Sequence, residues 1–130
     1  MNRNFLREGI VSSVNPQKCT ARVVFPDKDG LVSAELPILQ PASAKNQFYS
    51  LVDVGDSVVC IFAPNAQDGC GFIIGSRYDD KNNPPAHNQD ISCIKFSDGT
   101  TLSYNRQSHE LEINCVGNIK INGKRIDLNG

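Results

Sequence analysis

Helical periodicity is what this sequence has least of. No stretch longer than about eleven residues keeps apolar side chains at helical spacing without meeting a proline or glycine, so the expected class is all-β. Only Ala42 to Tyr49 is left for a short helix or an ordered loop. A surplus of either charge is also missing. Lys and Arg number 13 against 14 Asp and Glu, for a net charge of −1, which leaves no electrostatic footprint for a phosphate backbone or an anionic lipid surface. No apolar run approaches the length of a membrane span. The segment Met1 to Glu8 returns to charge before a signal-peptide core can form, which predicts a chain made in the cytosol. Paired cysteine spacing is absent as well: Cys19, Cys60, Cys70, Cys93 and Cys115 contain no C-x-x-C, so neither a disulfide framework nor a zinc knuckle has its spacing. They read as reduced, mostly buried small hydrophobes. The alternative is a zinc site gathered from distant cysteines with His87 or His109, on a three-fold axis.

What the chain does have is short strands separated by turn chemistry. Gly9 to Val14, Cys19 to Phe25, Leu31 to Leu39, Ser57 to Ala63 and Gly71 to Ser76 are rich in β-branched and aromatic residues. Asn15-Pro16, Pro26 to Gly30 and Pro64 to Gly69 separate neighbours at hairpin distance, which predicts a mostly antiparallel sheet. Five short strands with a longer excursion after the third fit a small Greek-key barrel of OB type. A polar, Asn-rich stretch around Asn83-Pro84-Pro85 then marks a linker stiffened by its proline pair. The expected organisation is a barrel over 1–78, a linker over 79–90 and a strand ladder over 91–130.

The ladder consists of Ile91 to Phe96, Thr101 to Tyr104, His109 to Cys115, Asn118 to Asn122 and Lys124 to Leu128. Apolar and polar residues alternate, as in Leu111-Glu112-Ile113-Asn114 and Ile119-Lys120-Ile121-Asn122, which puts one hydrophobic stripe on one sheet face. Such short units bury their stripe by stacking on neighbours, and other copies of the same chain are the expected neighbours.

Several fragments resemble known sites and fail on context. Asp27-x-Asp29-Gly30 lacks the further ligands of a calcium loop and reads as a hairpin turn. Gly69-x-Gly71 followed by Gly75 leads into a strand, where a dinucleotide fingerprint needs a helix. His87 and His109 have no nucleophile beside them in a recognisable elbow, so no catalytic residue is assigned. Phe25, Phe62 and Phe72 alternate as core residues do. Only Arg22, Arg77 and Tyr78 are left as a platform for stacked bases.

Taken in order, Gly9 to Val14, Ala21 to Gly30, Val32 to Gln40, Val54 to Cys60, Asp68 to Ser76 with Tyr78, Asn83-Pro84-Pro85, and Phe96 to Thr100 before Tyr104 resemble the baseplate assembly protein V family of contractile phage tails. The resemblance implies a central spike without an active site or cofactor: an N-terminal OB-fold from each of three chains, then an intertwined trimeric β-helix. It implies a homotrimer within a virion or phage-tail-like particle, docked on tail hub and tube proteins and driven into a target cell envelope by sheath contraction, with no nucleic-acid partner. Leu102, Tyr104, Leu111, Ile113, Ile119, Ile121, Ile126 and Leu128 are the expected trimer core. The apical His-x-His pair of several family spikes has no counterpart here, so a blunt end at Lys124, Arg125, Asn129 and Gly130 is expected to accept a separate PAAR-type tip protein. The competing readings are an OB-fold module for single-stranded nucleic acid and, behind it, a hydrolase on the same barrel.

Overall fold

A computed structural model describes residues 5–63 and 71–129, and in it the chain is all-β. Two compact units divide at Asn83 and Pro84. In the first, β1 (Leu6–Asn15), β2 (Thr20–Phe25), β3 (Leu31–Val32), β4 (Leu36–Pro37), β5 (Ser57–Phe62) and β6 (Gly71–Ser76) form a six-stranded sheet in the order β3-β2-β1-β5-β6, with β4 also on β2. The named pairs are antiparallel. In the second, β7 (Ile91–Lys95), β8 (Thr101–Asn105) and β9 (Glu110–Asn114) form a three-stranded antiparallel meander.

Alternation along the strands builds the core of the first unit. Val11, Val23, Phe25, Leu36, Val58, Cys60 and Ile73 point inward and are almost completely buried. Two glycines bring the backbones close. A Cβ on Gly9 would lie 2.4 Å from Val23 Cγ1, and one on Gly71 would lie 2.4 Å from Phe62 Cδ1 and 2.7 Å from the Ile61 carbonyl, so no larger residue fits at either position without displacing a neighbour.

The third expected strand is the main departure. Leu31 to Leu39 is broken into β3 and β4 because Ser33 replaces a ladder bond with its side chain. Its hydroxyl accepts the Val23 N–H at 3.0 Å and donates to the Ala34 carbonyl at 2.6 Å, while its own N–H reaches Val23 O at 2.8 Å. The strand that would close the barrel is therefore too short to do so. No sheet is closed into a barrel. The far edge is touched by an isolated parallel bridge, Ile38 to Ile73, with Leu39 N–H donating to Ile73 O at 3.1 Å.

Between Gln40 and Ser50 the chain takes the ordered loop rather than the helix. Gln40 spans it, donating to Ser50 O at 2.8 Å and accepting the Ser50 N–H at 3.2 Å, and Phe48 N–H closes on Ala42 O at 3.1 Å. The division between the units falls inside the expected linker span of 79–90. Asp79 Oδ1 accepts the N–H groups of Lys81 (2.9 Å) and Asn82 (2.8 Å), and its other oxygen accepts from Ser57, so 79–82 is tied to the first unit. Asp90 is bound to Arg106 through side chain (2.7 Å) and backbone (3.0 Å), which ties the far end to the second unit. The span free of such ties narrows to 83–87.

Two hairpins use one device. Asn15 Oδ1 accepts the N–H groups of Gln17 (3.2 Å) and Lys18 (3.4 Å), and Cys19 takes a left-handed φ of 57° before β2. Asn105 Oδ1 accepts those of Gln107 (2.8 Å) and Ser108 (3.2 Å), and His109 takes φ 63° before β9. The asparagine side chain mimics a backbone turn, which frees the last loop residue for the left-handed geometry that reverses the strand. His109 thus has a conformational role.

Candidate functional site

The second unit has an apolar face that nothing described in the chain covers. Pairing places Ile94 beside Leu102 and Leu102 beside Ile113 in one row, and Ser92, Tyr104 and Leu111 in the next. Alternation sends both rows to the same face. All five large side chains are exposed, from 37% for Leu102 to 63% for Leu111. The opposite face carries polar rows, Cys93–Ser103–Glu112 and Lys95–Thr101–Asn114.

Beyond β9 the chain continues without a named strand to Asn129. The strands expected over Asn118 to Asn122 and Lys124 to Leu128 are absent, which is a correction. Their alternation is intact, yet among the described residues no segment pairs with them. Among the described residues, 116–129 makes no backbone-to-backbone hydrogen bond. Its ties are Val116 N–H to Thr100 Oγ1 (3.3 Å), Cys115 Sγ to Asn118 O (3.6 Å) and an Arg125–Asp127 ion pair (2.9 Å). Ile119, Ile121, Ile126 and Leu128 are 52–85% exposed.

The expected core residues are thus brought together in part. Leu102, Tyr104, Leu111 and Ile113 share one sheet face, while Ile119, Ile121, Ile126 and Leu128 extend along the unpaired segment. Ile94, Phe96 and Val116 belong with them by exposure (54%, 54% and 66%) and were missed. In Ile91-Ser92-Cys93-Ile94 apolar residues fall on both faces, so alternation alone does not choose between them. Register does, through Leu102. Together these side chains leave on the order of 1,000 Å² of apolar surface open, where the largest patch on a typical monomer is about 300–600 Å². Lys124, Arg125 and Asn129 are exposed. Gly130, expected beside them, lies outside the described residues.

Other sequence candidates resolve into structural parts. Asp27 and Asp29 sit in a 3₁₀ turn (Pro26–Lys28) that ends on left-handed Asp29 and Gly30. Among the described residues no group of three or more His, Cys, Asp or Glu stands together as a metal site. Cys60 is buried, which pushes its thiol up to about 11, and Cys19 and Cys93 are half-buried. Cys115 is exposed, against expectation. Cys70, Gly69 and the loop from Pro64 lie outside the described residues.

The proposed base-stacking platform is occupied by local bonds. Arg77 pairs with Glu8 and donates to Tyr78 O at 3.2 Å, and Arg22 donates to Ser33 O at 3.2 Å. An open depression of about 550 Å³ lies beside Asn15, Arg22 and Glu35. Hydrogen bonds from Asn15 (2.9 Å) and, behind it, Thr20 (3.3 Å) hold Glu35 below the usual glutamate range, with help from the charges of Lys18 and Arg22. That carboxylate acts as an acceptor joining β1, β2 and the approach to β4.

No protein-family model matches the chain, and no curated protein matches it.

Proposed function

We propose that this chain is the central spike of a contractile injection device, a phage tail baseplate or related particle, and that it works mechanically rather than as an enzyme. The observation that carries the reading is the second unit: an apolar sheet face with no cover, followed by an alternating segment whose backbone has no partner in its own chain. Backbone groups in a packed structure need partners, and a sheet with one apolar face gains stability by burying it against another element. Copies of the same chain supply both if three tails wind together into a trimeric β-helix. Such a prism leaves few open strand edges, a property suited to surviving a load along its axis.

In this reading the first unit is an open variant of an OB-fold, with the Ile38–Ile73 bridge as its seam, and serves as the collar that meets tail hub and tube proteins. The exposed Lys124, Arg125 and Asn129 form the end that receives a PAAR-type tip protein. In this reading the protein is part of the virion or phage-tail-like particle, which is assembled in the bacterial cytoplasm.

Light scattering on the full chain tests the core of the proposal. Three 14.2-kDa chains give about 43 kDa; a monomer at micromolar concentration overturns the reading. For the tip, a small conical partner is expected to co-purify with the full chain and to be lost on deleting residues 124–130. Binding that survives the deletion refutes that assignment.

A further inference from the structure

The first unit carries an apolar face of its own. Leu6, Ile61 and Phe72 are cross-strand partners on β1, β5 and β6, and all three point away from the buried core. They are 59%, 41% and 47% exposed, Ile74 at the β6 bulge is 48% exposed and Ile10 is 43% exposed. In the row between, Glu8 faces Val59 and is neutralised by Arg77. The face therefore presents apolar surface and a self-contained ion pair, with no unmatched charge to select a charged partner.

A second exposed group lies toward the other end of β1. Tyr49 and Phe48 are 67% and 57% exposed on the Gln40 loop, and Tyr49 Oη donates to Pro16 O at 3.2 Å in the β1–β2 turn. From Leu6 to Pro16 the contour of the strand is about 30 Å. Two unlike apolar patches toward opposite ends of one strand suit a head-to-tail contact, the heterologous kind that closes a ring, better than a two-fold contact in which one patch meets itself.

We infer that the outer face of β1, β5 and β6 in one copy receives the Phe48–Tyr49 loop of the next copy. This rests on the trimer proposed above. The area supports a second copy as occupant. The five side chains leave on the order of 450 Å² open, close to the roughly 65% apolar share of the about 800 Å² that each partner buries in a standard interface. A neighbour held in the same trimer stands at a raised effective concentration, so it fills the face ahead of a free competitor.

The test uses the full chain with the photoreactive p-benzoylphenylalanine in place of Phe72, whose half-exposed side chain leaves room outward for the added benzoyl group. Irradiation is expected to give covalent dimers and trimers, with adducts mapping to residues 47–50 of another copy. Tyr49→Ser in the same chain is expected to cut that yield several-fold while the scattering mass stays trimeric. A trimer that forms no adduct between copies at 47–50 overturns the contact and leaves the spike reading standing. A monomer without adducts overturns both.

Discussion

The two units are built from the same strands and turns, and they differ in where their apolar side chains go. In the first, Val11, Val23, Leu36, Val58 and Ile73 turn inward and are 0–1% exposed. In the second, among the described residues, no side chain is buried, and the apolar members of each strand stand on an open face. Even the turns match, with Asn15 and Asn105 capping equivalent loops. Local chemistry is therefore not the cause of the contrast. The first unit folds its six-stranded sheet over its own core, and the second is a single three-stranded layer whose apolar face no described element covers. One unit buries its core within the described chain, whereas the other leaves its apolar face open.

Substitutions can break this comparison from either side. The largest effect is expected for Ile119→Asp, which in the proposed trimer would set three like charges near one axis. The trimer mass should be lost in light scattering while the β signal of the first unit persists in circular dichroism; a soluble trimer from this variant sinks the tail assignment. Leu36→Ala should do the converse. It opens a cavity in the first unit and costs about 2–5 kcal/mol in denaturant unfolding of that unit, with the trimer mass unchanged. Next comes Gly71→Ala, whose methyl would press on the Phe62 ring and the Ile61 carbonyl. A loss of about 1–3 kcal/mol is expected from the forced shift, and an unchanged unfolding midpoint would contradict the packing described at β5 and β6.

The smallest effect concerns the exit from the first unit. Asp79 is held below the usual aspartate value of 3.8, first by the Ser57 hydroxyl and then by the Asn82 and Lys81 N–H groups. A depressed folded value means that this carboxylate stabilises the turn above its unfolded value, and that the contribution fades as pH falls through the lowered folded value. Amide exchange at Lys81 and Asn82 should therefore accelerate below about pH 4, after correction for intrinsic rates. Asp79→Asn should show fast exchange at neutral pH and little further change.

How much of this was legible beforehand follows from where each signal resides. β1, β2, β5 and β6 lie close to the runs of β-branched residues that announce them, and β7 to β9 fall where alternation and Asp98-Gly99 place them. Gly99 takes φ 98° there, as that turn requires. The break at Ser33 was not legible, because a hydroxyl that takes over a backbone bond leaves the apolar pattern of Leu31 to Leu39 intact. The barrel expected from strand count consequently remains open at that seam. Asp79 and Asp90 look like solvated acids in sequence, whereas each is a hydrogen-bonded anchor at its end of the linker. Alternation over Ile119 to Leu128 stated which side chains want cover but not which backbone supplies the pairing. A partner outside the chain leaves no trace in its periodicity.

The unpaired stretch from Val116 to Asn129 also sets a clock. If the proposed trimer supplies its backbone partners, the segment matures at a rate that depends on concentration, so dilution lengthens its wait and a burst of synthesis shortens it. During that interval the bare backbone is the part of the molecule most open to proteases and to wrong strand partners. Once closed, the same segment opens only if several chains part together. On that proposal fresh chains should be quickly degraded and assembled ones slowly, from one unchanged sequence.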